Sequence, residues 1–307
     1  MKPRKIILIA ADLVLLVVCI LQGIFSAKDN VRTFKFSETP DEIIIEKSDG
    51  NIRLVKEDEQ WFINDEKYEA TLANVDNMIE YSNYIRAIER VGKLTNEAVA
   101  AKYEFDEMNA IKVTVNAGGK TLRTYTLGKD CSTGVQCYAT VDGSNDIYII
   151  DHDYRFVFDK TVDQLRSKVV YTVDPVEISS VSVKPADGEQ WAISRTGSAD
   201  DLQWNVSGAE ITLDTEKASD WFNGFATLTV SKWHGKSDDI GGEPYISVNI
   251  GTTGKSISIQ TFIVPADPEV EGSSPVYYGK CSSSPYYFEI SSYNMTNFQK
   301  TPEDLQR

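Results

Sequence analysis

At 307 residues the chain is too long for one small core and fits two domains of ordinary size. A content of 41% hydrophobic and 25% charged residues excludes a disordered chain, and 19 glycines with 10 prolines exclude a collagen-like or low-complexity one. The net charge of −15 repels phosphate backbones, which argues against nucleic acid as a partner and disfavours docking on anionic lipid.

The N-terminus opens with MKPRK, which carries Lys2, Arg4 and Lys5. The 22 residues Ile6–Ala27 that follow are almost wholly apolar. At ~1.5 Å per residue such a run crosses a ~30 Å hydrocarbon core, and the basic flank places the N-terminus inside. Asp12 is the exception, because an ionised carboxylate is costly at that depth. A position near the headgroups, protonation or a partner helix would each accommodate it. Cleavage needs small residues at −3 and −1, and Phe25 or Ile24 would occupy the −3 place. Val18 before Cys19 does not fit a lipoprotein signal. The expectation is an uncleaved single-pass anchor in the cell membrane. Residues 1–5 are a cytoplasmic tail, 28–40 a linker, and the bulk of the chain is extracytoplasmic.

The remainder reads as one unit written twice. FDKTVDQLRS (Phe158–Ser167) and FQKTPEDLQR (Phe298–Arg307) match at Phe158/Phe298, Lys160/Lys300, Thr161/Thr301 and Leu165/Leu305. IYIID at Ile147–Asp151 matches YFEIS at Tyr287–Ser291, and WFINDEKYEATL at Trp61 matches WNVSGAEITLDT at Trp204. Repeat 1 is expected over 41–173 and repeat 2 over 175–307, with Pro175 punctuating the join.

In chain order, EIIIEK, IRLVKED and WFI read as strands. An amphipathic helix is predicted over Leu72–Val91, with Val75, Met78, Ile79, Ser82 and Ile85 on one face. A short helical run follows at Asn96–Tyr103, then hairpins through KVTVNAGGKTLRTYTLG and YATVD–IYIID. The second copy repeats the order, with Ala218, Trp221, Phe222 and Phe225 on its helix face. A short helix at each Lys-Thr pair closes the copy. The fold class is therefore α+β: an N-terminal transmembrane helix, then two homologous repeats, each a mainly antiparallel sheet with one main amphipathic helix. Trp61 and Trp204 are expected to anchor strand to helix, with ligand stacking as the alternative.

No motif in the chain specifies a chemistry. NIGTTGKS (Asn249–Ser256) ends like a phosphate-binding loop but has Asn249 where the first Gly belongs and an alternating SISIQ where a helix belongs. It reads as a hairpin turn, as does NAGGKT, and no nucleotide is expected. DGSND at Asp142–Asp146 and DDIGGE at Asp238–Glu243 read as solvated turns; the alternative is weak calcium binding. His152 and His234 occupy unmatched positions. Cys131 and Cys137 flank a short loop; a disulfide and two free thiols both remain open. YYGKCSSSPYYF (Tyr277–Phe288) puts Tyr278 and Tyr287 on one face, for cross-strand packing or for gripping a ligand. No catalytic, cofactor-binding or metal-ligating residue is nominated.

The Trp-x-[Ile/Val] stretch running into a helix, WFINDEKYEATLANVDNMIEYSNYI, resembles the family of the domain of unknown function 4340. So do TYTLG, CYATVD and the closing VDQLRSK. KYEFDEMNAIKVTV departs from the family pattern at Glu104 and Phe105. The resemblance implies a membrane-anchored protein whose gene neighbours encode ABC-type export components. The expected function is a non-catalytic extracytoplasmic accessory or scaffold, with a transporter or envelope protein as partner and the membrane engaged through Ile6–Ala27. A glycan- or peptide-binding module using a groove between the repeats is the alternative, and a carboxylate-dependent hydrolase is a second.

Overall fold

The computed structural model describes residues 13–19, 31–197, 202–208, 210–236, 240 and 242–307. Asp12 and most of the Ile6–Ala27 run lie outside the described residues. Residues 13–19 are helical, and among the described residues no helix is long and apolar enough to cross a membrane. The chain divides into two compact units, 1–166 and 167–307.

The first unit holds β1 (Arg32–Lys35), β2 (Glu42–Glu46), β3 (Ile52–Glu57), β4 (Gln60–Ile63) and β5 (Tyr68–Glu69). Helix α1 (Leu72–Asn83), β6 (Tyr84–Lys93) and α2 (Glu97–Tyr103) follow. Next come β7 (Ile111–Ala117), β8 (Lys120–Asp130), β9 (Cys137–Val141) and β10 (Asp146–Ile150). Helices α3 (Tyr154–Phe158) and α4 (Val162–Leu165) end the unit. The strands form one antiparallel sheet in the order β1-β6-β10-β9-β8-β7-β2-β3-β4-β5.

The second unit holds β11 (Val169–Thr172), β12 (Ile178–Pro185), β13 (Trp191–Thr196), β14 (Gln203–Ser207), α5 (Thr215–Asn223), β15 (Thr227–Thr229) and β16 (Lys232–Trp233). After them come β17 (Ile246–Thr252), β18 (Ser256–Val264), β19 (Val276–Cys281), β20 (Ser284–Ile290) and α6 (Ser292–Gln299). Its main sheet runs β16-β20-β19-β18-β17-β12-β13-β14. Both units are therefore α+β and mainly antiparallel. The first sheet read from β6 and the second read from β16 visit their strands in the same succession.

Alternation along each strand decides which side faces the core. Ile43, Ile45, Leu54, Val113, Val115, Tyr125 and Leu127 line the buried face of the first sheet, and Val75 and Met78 of α1 cover it. In the second unit Val181, Val183, Ile193, Val248, Ile250 and Ile259 meet Ala218, Trp221 and Phe222 of α5. Aromatic rings meet edge to face in both cores, as in Tyr125–Phe158 at 5.6 Å and Trp221–Phe225 at 5.0 Å. Gly279 lies opposite Phe288, and a Cβ there would run into the Phe288 ring.

Three expectations need correction. The predicted helix over Leu72–Val91 stops at Asn83, and Tyr84–Lys93 is a strand between β1 and β10. Ile85 fits the helical stripe, but Ile85 and Ala87 also alternate, and pairing on both flanks favours the strand. Residues 28–40 are not only a linker, because β1 pairs with β6 and buries Phe34 beside Tyr148. The join falls before Pro175, because β11 pairs with β15 inside the second unit.

One polar pair sits inside the first core. Ser82 Oγ donates to the Met78 carbonyl at 2.7 Å and so accepts from Tyr125 Oη at 2.8 Å. Ser82→Ala strands a buried phenol and should cost about 1–3 kcal/mol in urea unfolding. In a Tyr125→Phe background the same change should cost little. Equal costs in the two backgrounds would contradict the pairing.

Candidate functional site

A cleft of about 360 Å³ opens at one end of the second unit's sheet. Val183 of β12 pairs with Trp191 and Val248, and Pro185 pairs with Ile246. The Ala186 N–H donates to the Tyr245 carbonyl at 2.9 Å, which ties the turn bearing Asp187 to the start of β17. The opposite wall is Phe298–Thr301, where the chain leaves α6. Trp191 leans on Trp221 at 5.3 Å and Tyr245 on Tyr277 at 6.2 Å. Phe298 is buried against Phe225 at 5.5 Å and forms the floor. Asp187, Gln299, Lys300 and Thr301 supply the polar rim, and Gln299 Nε2 donates to Tyr245 Oη at 3.4 Å.

The first unit has a cleft in the corresponding place. Ile45 pairs there with Ile52 and Val113, as Val183 pairs with Trp191 and Val248. By this register Lys47 stands where Pro185 stands, Ile52 where Trp191 stands, and Ala110 where Tyr245 stands. The Lys47 side chain is only 7% exposed. Its Nζ reaches Asp159 Oδ1 at 3.1 Å and donates to the Lys160 carbonyl at 2.9 Å. Arg155 Nη1 donates to the carbonyls of Asn109 and Gly128 at 3.0 and 3.1 Å. The remaining hollow of about 240 Å³ is lined mainly by groups that already satisfy one another. One frame thus carries two linings: an ion-paired one in the first unit and an aromatic one in the second.

The residues singled out from sequence are placed as follows. Trp61 is a core residue, while Trp204 is half-buried and meets Phe222 edge-on at 4.9 Å. Thr252–Lys255 is a hairpin turn closed by Thr252 N–H to the Lys255 carbonyl at 2.9 Å, with Gly254 at φ 114°. Gly118 and Gly119, at φ 54° and 74°, make the matching turn of the first unit. Asp142 accepts from Arg123 Nη1 at 2.6 Å and from the Thr124 N–H at 3.2 Å, so its oxygens are occupied. Asp238 and Asp239 lie outside the described residues. Among the described residues no three His, Cys, Asp or Glu side chains gather to hold a metal ion.

His152 is exposed beside Tyr81 in the first unit. His234, in the second, pairs Nε2 with Glu289 Oε1 at 2.8 Å under the Tyr278 ring. Tyr278 and Tyr287 do share the outer face of their sheet, with Phe262 opposite Tyr278. Burial raises the Asp130 carboxyl above its usual range, helped by Asp153, but Asp153 is committed to capping α3 through the Phe156 N–H.

Cys131 and Cys137 are thiols. Cys137 faces the core, with Sγ 3.7 Å from the His152 carbonyl, while Cys131 lies beside the Tyr138 hydroxyl. Tyr138 follows Cys137 in β9 and so points to the opposite face, which separates the two sulfurs. The sequence reading missed Trp191 and Tyr245. The signal was present in register alone, as two large rings at positions that hold Ile and Ala in the first unit.

Burial pushes the Cys137 thiol from 9.0 up to about 12, and raises Tyr125, Tyr154 and Tyr171 above 10.0. The unfolded chain releases these protons first. The contribution of these groups to stability should therefore be fully present below pH 9 and be lost as pH rises toward 12. Iodoacetamide near neutral pH should leave Cys137 unmodified in the folded chain and modify it after denaturation. Rapid native labelling of Cys137 would contradict its burial.

The model of the family described as Domain of unknown function (DUF4340) matches residues 55–245. No curated protein and no solved structure matches the chain. The matched span takes in α1, the central hairpins of the first unit and the sheet of the second as far as Tyr245, which is more than half of the 307 residues, and the chain belongs to the family of the domain of unknown function 4340.

Proposed function

We propose that this chain is a membrane-anchored, extracytoplasmic accessory protein without chemistry of its own, in which one α+β unit has been duplicated to build a scaffold beside an ABC-type export system. The carrying observation is the run Ile6–Ala27 behind Lys2, Arg4 and Lys5. Within it Leu13–Val18 are helical, and each of these six apolar side chains is 45–64% exposed in the isolated chain. Lipid is the solvent that makes such an all-round apolar surface favourable.

Duplication is supported by the common strand succession and by the sequence match between the closing segments. It is supported again by equivalent main-chain bridges, Ala70 to Arg166 and Leu213 to Gln306. Adding a second copy of a stable unit doubles the docking surface without a new fold. The export-system partner rests on the family resemblance, which is an association rather than a contact.

Fractionation of cells making the full chain tests the anchor. The protein should sediment with membranes, resist carbonate and yield to detergent. Affinity capture from those extracts should recover an ABC-type permease or its ATPase. A full chain found in the high-speed supernatant would refute the anchor, and capture without any ABC-type subunit would refute the scaffold role.

A further inference from the structure

We propose that the cleft of the second unit is a saccharide site, in which a pyranose ring lies against the faces of Trp191 and Tyr245. This goes beyond the scaffold reading and needs only the shared strand register of the two units, not their common descent.

The first support is the contrast between the two clefts. Their frames agree strand for strand, yet the second loses the lysine that occupies the first. Pro185 is shorter than Lys47 and has no charge to satisfy. Trp191 and Tyr245 then add ring faces where Ile52 and Ala110 stand. Both rings are half-buried, so each keeps apolar surface in contact with water. Their backbones sit in, or are tied to, strands with partners on both flanks, so the faces are set before any ligand arrives. A cavity of about 360 Å³ falls within the ~300–1,000 Å³ usual for small-ligand sites.

The rim selects the ligand class. Lys300 donates and Asp187 accepts; Gln299 keeps its amide oxygen and second N–H beside its bond to Tyr245, and Thr301, whose hydroxyl donates to Asp304 at 3.1 Å, can accept. An anion would need donors only, and Asp187 would repel it. A purely apolar ligand would use none of these rim groups. A peptide bound as an added strand needs an open strand edge, but β12, β13 and β17 are each paired on both sides. Sugar hydroxyls each donate and accept, and the C–H face of a pyranose is apolar. That combination uses the ring faces and the rim together.

The test uses the full chain in a detergent without a sugar headgroup, titrated with chitotriose, cellotriose and maltotriose by calorimetry and tryptophan emission. At least one should bind saturably and raise the melting temperature. Trp191→Ile and Tyr245→Ala, which install the first unit's residues, should each weaken that binding by about tenfold or more. Because Trp191 leans on Trp221, melting curves identify any loss of fold, and Tyr245→Ala supplies the variant with the smaller packing change. Ile52→Ala in the first unit should leave binding unchanged. No binding of any of the three sugars at about 10 mM would overturn the proposal. Binding that survives both variants within about twofold, or tri-alanine binding in place of the sugars, would overturn it too. None of these outcomes bears on membrane anchoring, so the scaffold reading stands or falls separately.

Discussion

Each unit closes on itself through a main-chain clasp. The Thr71 N–H donates to the Leu165 carbonyl at 2.8 Å, and the Asp214 N–H donates to the Leu305 carbonyl at 2.9 Å. The partners are far apart in sequence, so the clasp forms only when the whole sheet between them is in place. It joins the start of the covering helix to the last turn of the unit. Leu165 and Leu305 are buried there, and Thr161 and Thr301 shape the turns through capping boxes. With the start of the covering helix pinned to the closing turn, the aromatic core of each unit has one arrangement rather than several.

The clefts follow from that closure. The clasp holds Phe158–Thr161 and Phe298–Thr301 against the same end of their sheets, leaving a hollow where β2 or β12 ends. In the first unit the hollow takes a lysine, whose burial is tolerable because Asp159 and the Lys160 carbonyl receive its ammonium. In the second it keeps aromatic faces and a mixed polar rim. The backbone explains why the hollow exists, and three side chains explain why the two hollows differ.

Much of this architecture is legible in the sequence, because period-two alternation and turn residues act locally. The strands at EIIIEK and IRLVKED, the glycine turns before Lys120 and Lys255, and the Asn96 cap of α2 all follow from short-range signals. Ile85 shows where local signals run out. It lies on the helical stripe of Val75, Met78 and Ser82 and also alternates with Ala87, and only pairing with β1 and β10 decides between them. Sequence separation hides the cleft for the same reason. Trp191, Tyr245 and Phe298 belong to three distant segments, and nothing near any of them indicates that they meet. A turn such as Thr252–Lys255, by contrast, is decided by its own residues and the alternation that follows.

Hydrogen exchange of the folded chain tests the clasp most directly. The amides of Thr71 and Asp214 should exchange as slowly as Val113 and Val248 of the central strands, opening only when a whole unit unfolds. Exchange of Thr71 and Asp214 at the rate of turn amides such as Gly134 and Gly272 would show that the units stand without the clasp, contradicting the account.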